Sequence, residues 1–288
     1  MTNATAEDDR TRGRLGRPGL PRRCASLGID VAADRVSIVA TSKGNFGLEI
    51  ARAADAPTLE SPLRALETLL RSLAKEERIV ERRCVVAIRP GAAEIAYKAF
   101  PRKFPPSEIA AAAKTLMNGA AAFSRERIVR TIKLSTVEPD GNVHYGIVAA
   151  NRAQVDEAAL LPRRLNLRPI VDVPALAWMR VVEAGVLVDA AIPYLAVHGR
   201  AVPIERLLGV HSSPYDAANA ARGRLTQLRE AHDFLERSLR YVGSYPSERF
   251  YAYRSTLEQI GIMLEPLVIE QQTCPPWAFA YALATWDA

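Results

Sequence analysis

The chain has 288 residues, 49% hydrophobic and 24% charged, with 38 Lys and Arg against 32 Asp and Glu for a net charge of +6. That balance excludes collagen-like, disordered and coiled-coil architectures for the whole chain, and the length suits one large domain or two modest ones. No apolar run approaches the roughly 20 residues of a transmembrane helix. Three scattered cysteines, Cys24, Cys84 and Cys274, make neither a disulfide framework nor a zinc motif.

Residues 1–23 read as a disordered basic leader. Arg10, Arg12, Arg14, Arg17, Arg22 and Arg23 stand against Glu7, Asp8 and Asp9, and five Gly and Pro residues break regular structure. No apolar segment follows the charges, so a signal peptide is not expected and the cytoplasm is the expected compartment. The leader suits weak contact with an anionic membrane surface, at about 1 kcal/mol per basic residue. With no aromatic in the leader and no basic stripe in the body, nucleic acid is not an expected partner.

Residues 26–40 contain two β-branched runs around Ala32, Ala33 and Asp34, the pattern of a hairpin, and residues 46–51 suit a third strand. A helix follows. Ser61 is placed to cap it, Pro62 suits its first turn, and Leu63, Leu66, Leu69, Leu70 and Leu73 form one apolar stripe. Residues 84–88 read as a buried strand closed by Pro90-Gly91, and residues 94–100 as another. Pro101, Pro105 and Pro106 turn the chain into an alanine-rich helix from Ser107 to Met117. Strands at 130–137 and 143–149 flank Asp140-Gly141, whose glycine supplies a positive-φ turn. A helix at 154–165, a strand at 168–173 and a helix from Ala175 follow.

A second block opens with a strand at 186–190 and a hairpin at 194–197 and 201–204. The stripe Leu225, Leu228, His232, Leu235, Leu239 and Val242 predicts one long helix over 217–242. A strand at 249–253, a helix at 256–263, a strand at 266–269 and a helix at 277–286 complete the chain. No short internal repeat is visible. Two alternating blocks, each opening with a strand that ends in Asp, imply a two-lobed α/β fold.

Leu27-Gly28-Ile29-Asp30-Val31 before a hairpin resembles the first phosphate loop of actin-like ATPases. The stretches Val85-Val86-Ala87-Ile88-Arg89-Pro90-Gly91, Ile147-Val148-Ala149-Ala150-Asn151-Arg152 and Ile170-Val171-Asp172-Val173-Pro174-Ala175 follow in an order that resembles the PilM family of type IV pilus assembly proteins. These are relatives of the division protein FtsA. The likeness is best over 26–182. It implies an actin-like, ribonuclease H-like fold with a first lobe over 24–182. A small α+β subdomain is inserted there at about 94–171, and a shortened second lobe covers 183–288.

The resemblance also places nucleotide loops, and this sequence departs from each. Such loops present backbone N–H groups to phosphate, which glycine favours. After Asp30 stand Ala32, Ala33 and an anionic Asp34. After Asp189 stand Ala190, Ala191 and the donor-less Pro193. The adenosine-site glycines are expected after a strand ending at Tyr253, where Arg254-Ser255-Thr256 stand instead. Asp30 and Asp189 remain as the cofactor-site candidates; their plainer role is to cap strand-end turns. The expected cofactor is none, with Mg-ATP as the alternative. No His, Cys or Ser arrangement marks a metal or nucleophile: His144, His198, His211 and His232 are isolated, and Ser212 and Ser213 lack a GxSxG context.

The family reading implies a cytoplasmic scaffold beside the inner membrane. It would hold the cytoplasmic tail of a single-span, PilN-like assembly protein in a groove between inserted subdomain and first lobe. It would also help couple the pilus machine to its secretion ATPase. Two other readings stay open: an active ATPase or sugar-kinase-like enzyme of the same fold, and an FtsA-like division or membrane scaffold. The latter calls for a basic amphipathic end, which residues 277–288 lack.

Overall fold

The structure is a computed structural model that describes residues 26–44, 47–58, 61–75, 81–118, 127–137, 141–191, 193–197, 200–204, 213–232 and 237–287. The leader, Cys24, His198, His211, Ser212 and Leu235 lie outside the described residues.

Strands β1 (Ser26–Val31), β2 (Arg35–Gly44) and β3 (Gly47–Pro57) form an antiparallel meander. The alternation of β1 decides its two faces. Leu27 and Ile29 pack on Leu66, Leu69 and Leu73 of α1 (Pro62–Lys75), whose start is capped by Ser61 Oγ accepting the Leu63 N–H at 3.2 Å. Strand β4 (Arg83–Ala87) runs parallel to β1.

The chain then leaves this sheet. Strand β5 (Ala93–Pro101), helix α2 (Pro106–Asn118), β6 (Arg127–Val137) and β7 (Asn142–Asn151) build a separate sheet of order β5-β7-β6. One face of it packs on α2 through Phe100, Ile109, Ala113 and Ile147. The other carries Val148 and Ala150 against Ile88, Val173 and Leu176 of the lobe. Helix α3 (Arg152–Arg164), capped by Asn151, leads to β8 (Arg168–Asp172), which pairs in parallel with β4. The inserted sheet therefore ends at Asn151. The expected segment of about 94–171 overruns it, because α3 and β8 belong to the first lobe.

Helix α4 (Pro174–Met179) crosses to the second lobe: β9 (Gly185–Val188), β10 (Tyr194–Val197), β11 (Arg200–Pro203), α5 (Pro214–His232), β12 (Ser238–Val242), α6 (Glu248–Glu258) and β13 (Met263–Pro266). Its sheet order, β11-β10-β9-β12-β13, repeats the first sheet's β3-β2-β1-β4-β8. A short ribbon of Val268–Ile269 with Gln272–Thr273 precedes α7 (Ala278–Ala284) and a 3-10 turn, Thr285–Asp287.

Three expectations for this lobe fail. The helix expected over 217–242 ends at His232, and Leu239 and Val242 belong to β12, where Leu239 and Tyr241 alternate into the core. The segment 249–253, expected as a strand, is helical, because Ser247 Oγ accepts the Phe250 N–H at 3.1 Å and starts α6. The expected helix over 256–263 ends early, and Met263 opens β13.

The lobes share one core. Val39 and Val85 of the first, Val186 and Tyr194 of the second, Trp178 of α4 and the alanines of α7 form a single buried cluster. Helix α7 returns to β1 so closely that a Cβ on Gly28 would overlap the Ala280 carbonyl and lie 2.6 Å from the Ala284 nitrogen. Among the described residues, no helix is long and apolar enough to cross a membrane.

Candidate functional site at the lobe junction

Strands β1 and β9 are the first strands of two equivalent sheets, and each delivers an aspartate at its C-terminal end. Asp30 sits in the ladder opposite Ser37. Burial pushes its carboxyl up to about 6; Arg35 pulls it down and Asp34 pushes it further up. Tyr194 lies close enough to feel its charge, and burial pushes that phenol up as well. The Tyr194 hydroxyl accepts a 2.9 Å hydrogen bond from Trp178 Nε1, and Trp178 stacks on Phe279 of α7 at 5.3 Å.

The loop after Asp30 is a tight turn. The Ala32 N–H is spent on the Arg35 carbonyl at 2.9 Å. Thr58 closes the other side, its hydroxyl donating to the Ala33 carbonyl at 2.8 Å and its N–H to the Asp34 carbonyl at 2.9 Å.

Asp189 follows β9, and its N–H donates to the Val242 carbonyl at 2.7 Å. Its side chain is 6% exposed and ion-paired with Arg249, and it accepts a 3.0 Å hydrogen bond from the Tyr241 hydroxyl. The loop after β12 presses on it: a Cβ at Gly243 would lie 2.7 Å from the Tyr241 oxygen and 3.0 Å from the Asp189 Cβ. Tyr194 pairs with Val188, the residue before Asp189, across the β9–β10 ladder, and its phenol also feels the charge of Asp30. Both lie at the junction, but only Asp189 carries a counter-ion of its own on a helix.

A third carboxylate was not marked by the sequence. Asp172, at the end of β8, is 2% exposed and ion-paired with Arg180. It also accepts the Val173 N–H at 2.7 Å, and burial raises its pKa against the pull of Arg180. Arg180 in turn lies 5.2 Å from the centre of the Trp286 ring. Arg249 and Arg180 are the residues the sequence reading missed; each meets its carboxylate only through the fold. Among the described residues, no group of three or more His, Cys, Asp or Glu is placed to hold a metal.

A chain of a solved PilM–PilN type IV pilus biogenesis complex is 20% identical to this one, with a TM-score of 0.61 over 90% of this chain and 97% of that one. The fold is actin-like and PilM-like. The cytoplasmic domain of EpsL, an inner-membrane component of the type II secretion system of Vibrio cholerae, is 13% identical with a TM-score of 0.49 over 90% and 92% of the two chains. A Bacteroides thetaiotaomicron protein with an actin-like ATPase fold is 12% identical with a TM-score of 0.43 over 90% and 95%. No family model and no curated protein matches the sequence.

Arg254-Ser255-Thr256, expected to follow a strand, lies inside α6, and the loop after β12 is Gly243-Ser244-Tyr245-Pro246-Ser247. One glycine stands there, and it serves the packing of Tyr241 on Asp189.

Proposed function

We propose that this protein is a PilM-like, non-catalytic scaffold of a type IV pilus or related secretion system. It works in the cytoplasm beside the inner membrane and holds the cytoplasmic tail of a PilN-like single-span protein. Through that contact it helps couple the machine to its secretion ATPase. The observation that carries the non-catalytic part is the capture of Asp189 by Arg249 and Tyr241. A carboxylate so engaged is a poor holder of a magnesium-bound water network, and burial makes Asp30 harder to ionise than a free carboxylate. The residues present therefore do not fit Mg-ATP.

The inserted sheet offers the place for a peptide. Tyr97, Gly146 and Ile132 are in register across β5, β7 and β6 and share the face that packs on the lobe. That face outruns its lobe contact. Tyr97 is 40% exposed and Met179, at the end of α4, 49%, with the Tyr97 hydroxyl 3.8 Å from the Met179 sulfur. Burial raises the Tyr97 pKa and Arg200 of β11 pulls against it, so β5, α4 and β11 all come near this one exposed face. An extended apolar segment suits it, and such capture needs no catalytic group.

The test is retention of a synthetic tail peptide from a neighbouring single-span pilus protein. Wild type retains it, and Tyr97→Ala and Met179→Glu each lose it while their melting temperatures hold. Equal retention by all three overturns the groove, and no retention by wild type overturns the scaffold reading.

A further inference from the structure

A second feature lies at the other end of the first sheet, independent of the scaffold reading. Strands β4 and β8 are parallel, with Arg83 in register with Arg168 at their N-terminal ends. The junction carboxylates sit at the C-terminal ends, roughly 13 Å away along β8 at 3.3 Å per residue. Arg82, Arg163, Leu165, Asn166, Leu167 and Arg168 line an open crevice of about 660 Å³ there. Arg83 and Arg164, next in the chain to two of these arginines, are exposed.

The arginines stand on rigid supports. The Arg168 N–H donates to the Arg82 carbonyl at 2.6 Å, which ties the two strand starts together. The turn after α3 is closed by three bonds: Leu165 and Leu167 donate to Pro162, and Asn166 to Arg163, at 3.0 to 3.1 Å. Asn166 takes the left-handed conformation, φ 58°, that Asn tolerates. Leu165 and Leu167 anchor the wall in the core. Two carboxylates touch the cluster among the described residues. Glu81 accepts the Arg82 and Arg83 backbone N–H groups at 2.8 Å, and Asp156 pairs with Arg163 at 3.2 Å.

We propose that this crevice binds a compact multivalent oxyanion, a group carrying clustered phosphates. Guanidinium forks match phosphate oxygens in bidentate pairs, and three arginines lining one crevice, Arg82, Arg163 and Arg168, favour a dense anion over a dispersed one. A soluble polyphosphate and a phospholipid headgroup present the same chemistry, so the experiment separates them. The full chain is titrated with sodium tripolyphosphate by calorimetry and co-sedimented with phosphatidylcholine vesicles with and without cardiolipin. The variants are Arg82→Gln/Arg168→Gln, Arg163→Gln alone, and a charge-matched control, Arg222→Gln/Arg254→Gln, on α5 and α6.

The expected result is tripolyphosphate binding that falls about tenfold or more in the crevice double variant, falls less in Arg163→Gln, and is unchanged in the control. Loss of cardiolipin-dependent sedimentation in the crevice variants, with no tripolyphosphate binding by wild type, also supports the site and assigns the lipid source. Equal losses in the control, or no binding to either probe, overturns the proposal. So does polyglutamate binding with the same arginine dependence when neither phosphate probe binds, which would assign the crevice to an acidic protein.

Discussion

Asp30 holds its proton up to about pH 6 in the folded chain because burial outweighs the pull of Arg35. In the unfolded chain the same carboxyl ionises near pH 4. The folded state thus binds the proton more tightly, and stability falls as pH rises from about 4 through about 6, then levels off. Asp30→Asn removes that loss. The variant is expected to gain about 3 kcal/mol at pH 8 and to match wild type at pH 4. Thermal melts at the two pH values check this; an equal gain at both, or none at pH 8, is the contrary result. Asp189 is a matter of ion pairing: its carboxylate faces the Arg249 guanidinium. Arg249→Ala leaves a buried carboxylate with one hydroxyl donor. It is expected to cost about 2 kcal/mol, less than a fully buried pair because Arg249 is 42% exposed. Denaturant midpoints measure it, and Arg249→Lys is expected to restore part of the loss.

Among the elements, the closest fit is between β1 and α7. Gly28 lies on β1 outside the loop that follows it, and its lack of a side chain lets the Ala280–Ala284 turn of α7 lie directly on the strand. Gly28→Ala drives a Cβ into backbone that cannot rotate away. Overpacking of this kind costs about 3 kcal/mol or more, and the melting temperature is expected to fall sharply. Gly223, on α5, has open space where a methyl would stand, with nothing within 4 Å, so Gly223→Ala is expected to stabilise by about 0.5–1 kcal/mol. The opposite signs separate a packing glycine from a dispensable one in a single pair of melts. These elements also show what the sequence carried. The hairpin at β1–β2, the capped helix α1 and the order of strands around the inserted sheet each have a local cause: a turn, a cap, a proline. The second lobe has fewer such marks. Leu225, Leu228, Leu239 and Val242 keep helical spacing across the α5–β12 boundary, and the period-two run of Leu239 and Tyr241 is too short to break it. Phe250, Tyr251 and Tyr253 favour a strand by propensity, yet Ser247 caps a helix there and the core takes Phe250 and Tyr253 from one of its faces. Asp30 and Asp189 were legible as strand ends; the Arg249 partner of Asp189, 60 residues on, had no local signal.

At the scale of the whole molecule, the two lobes meet through a core rather than across an open cleft. Trp178, Tyr194 and the alanines of α7 are buried together with residues of both sheets. Nucleotide binding at such a junction requires N–H donors and a cation-tolerant pair of carboxylates. Here the first turn spends the Ala32 N–H on Arg35 and exposes Asp34, and the second carboxylate is held by Arg249. Millimolar Mg-ATP is therefore expected to shift the melting temperature by less than about 1 °C. A ligand present at its own dissociation constant adds only about 0.4 kcal/mol, and a chain of this size moves roughly 2 °C per kcal/mol. The comparison is best made with Arg249→Ala beside wild type. If the arginine is what closes the site, Mg-ATP stabilises the variant more than the parent. A shift of several degrees in wild type would mean that the junction opens to admit nucleotide and that Asp189 exchanges Arg249 for the ligand's metal. The protein would then be an ATP-responsive scaffold. A flat response in both proteins leaves the junction as a fixed hinge core that holds the inserted subdomain over α4.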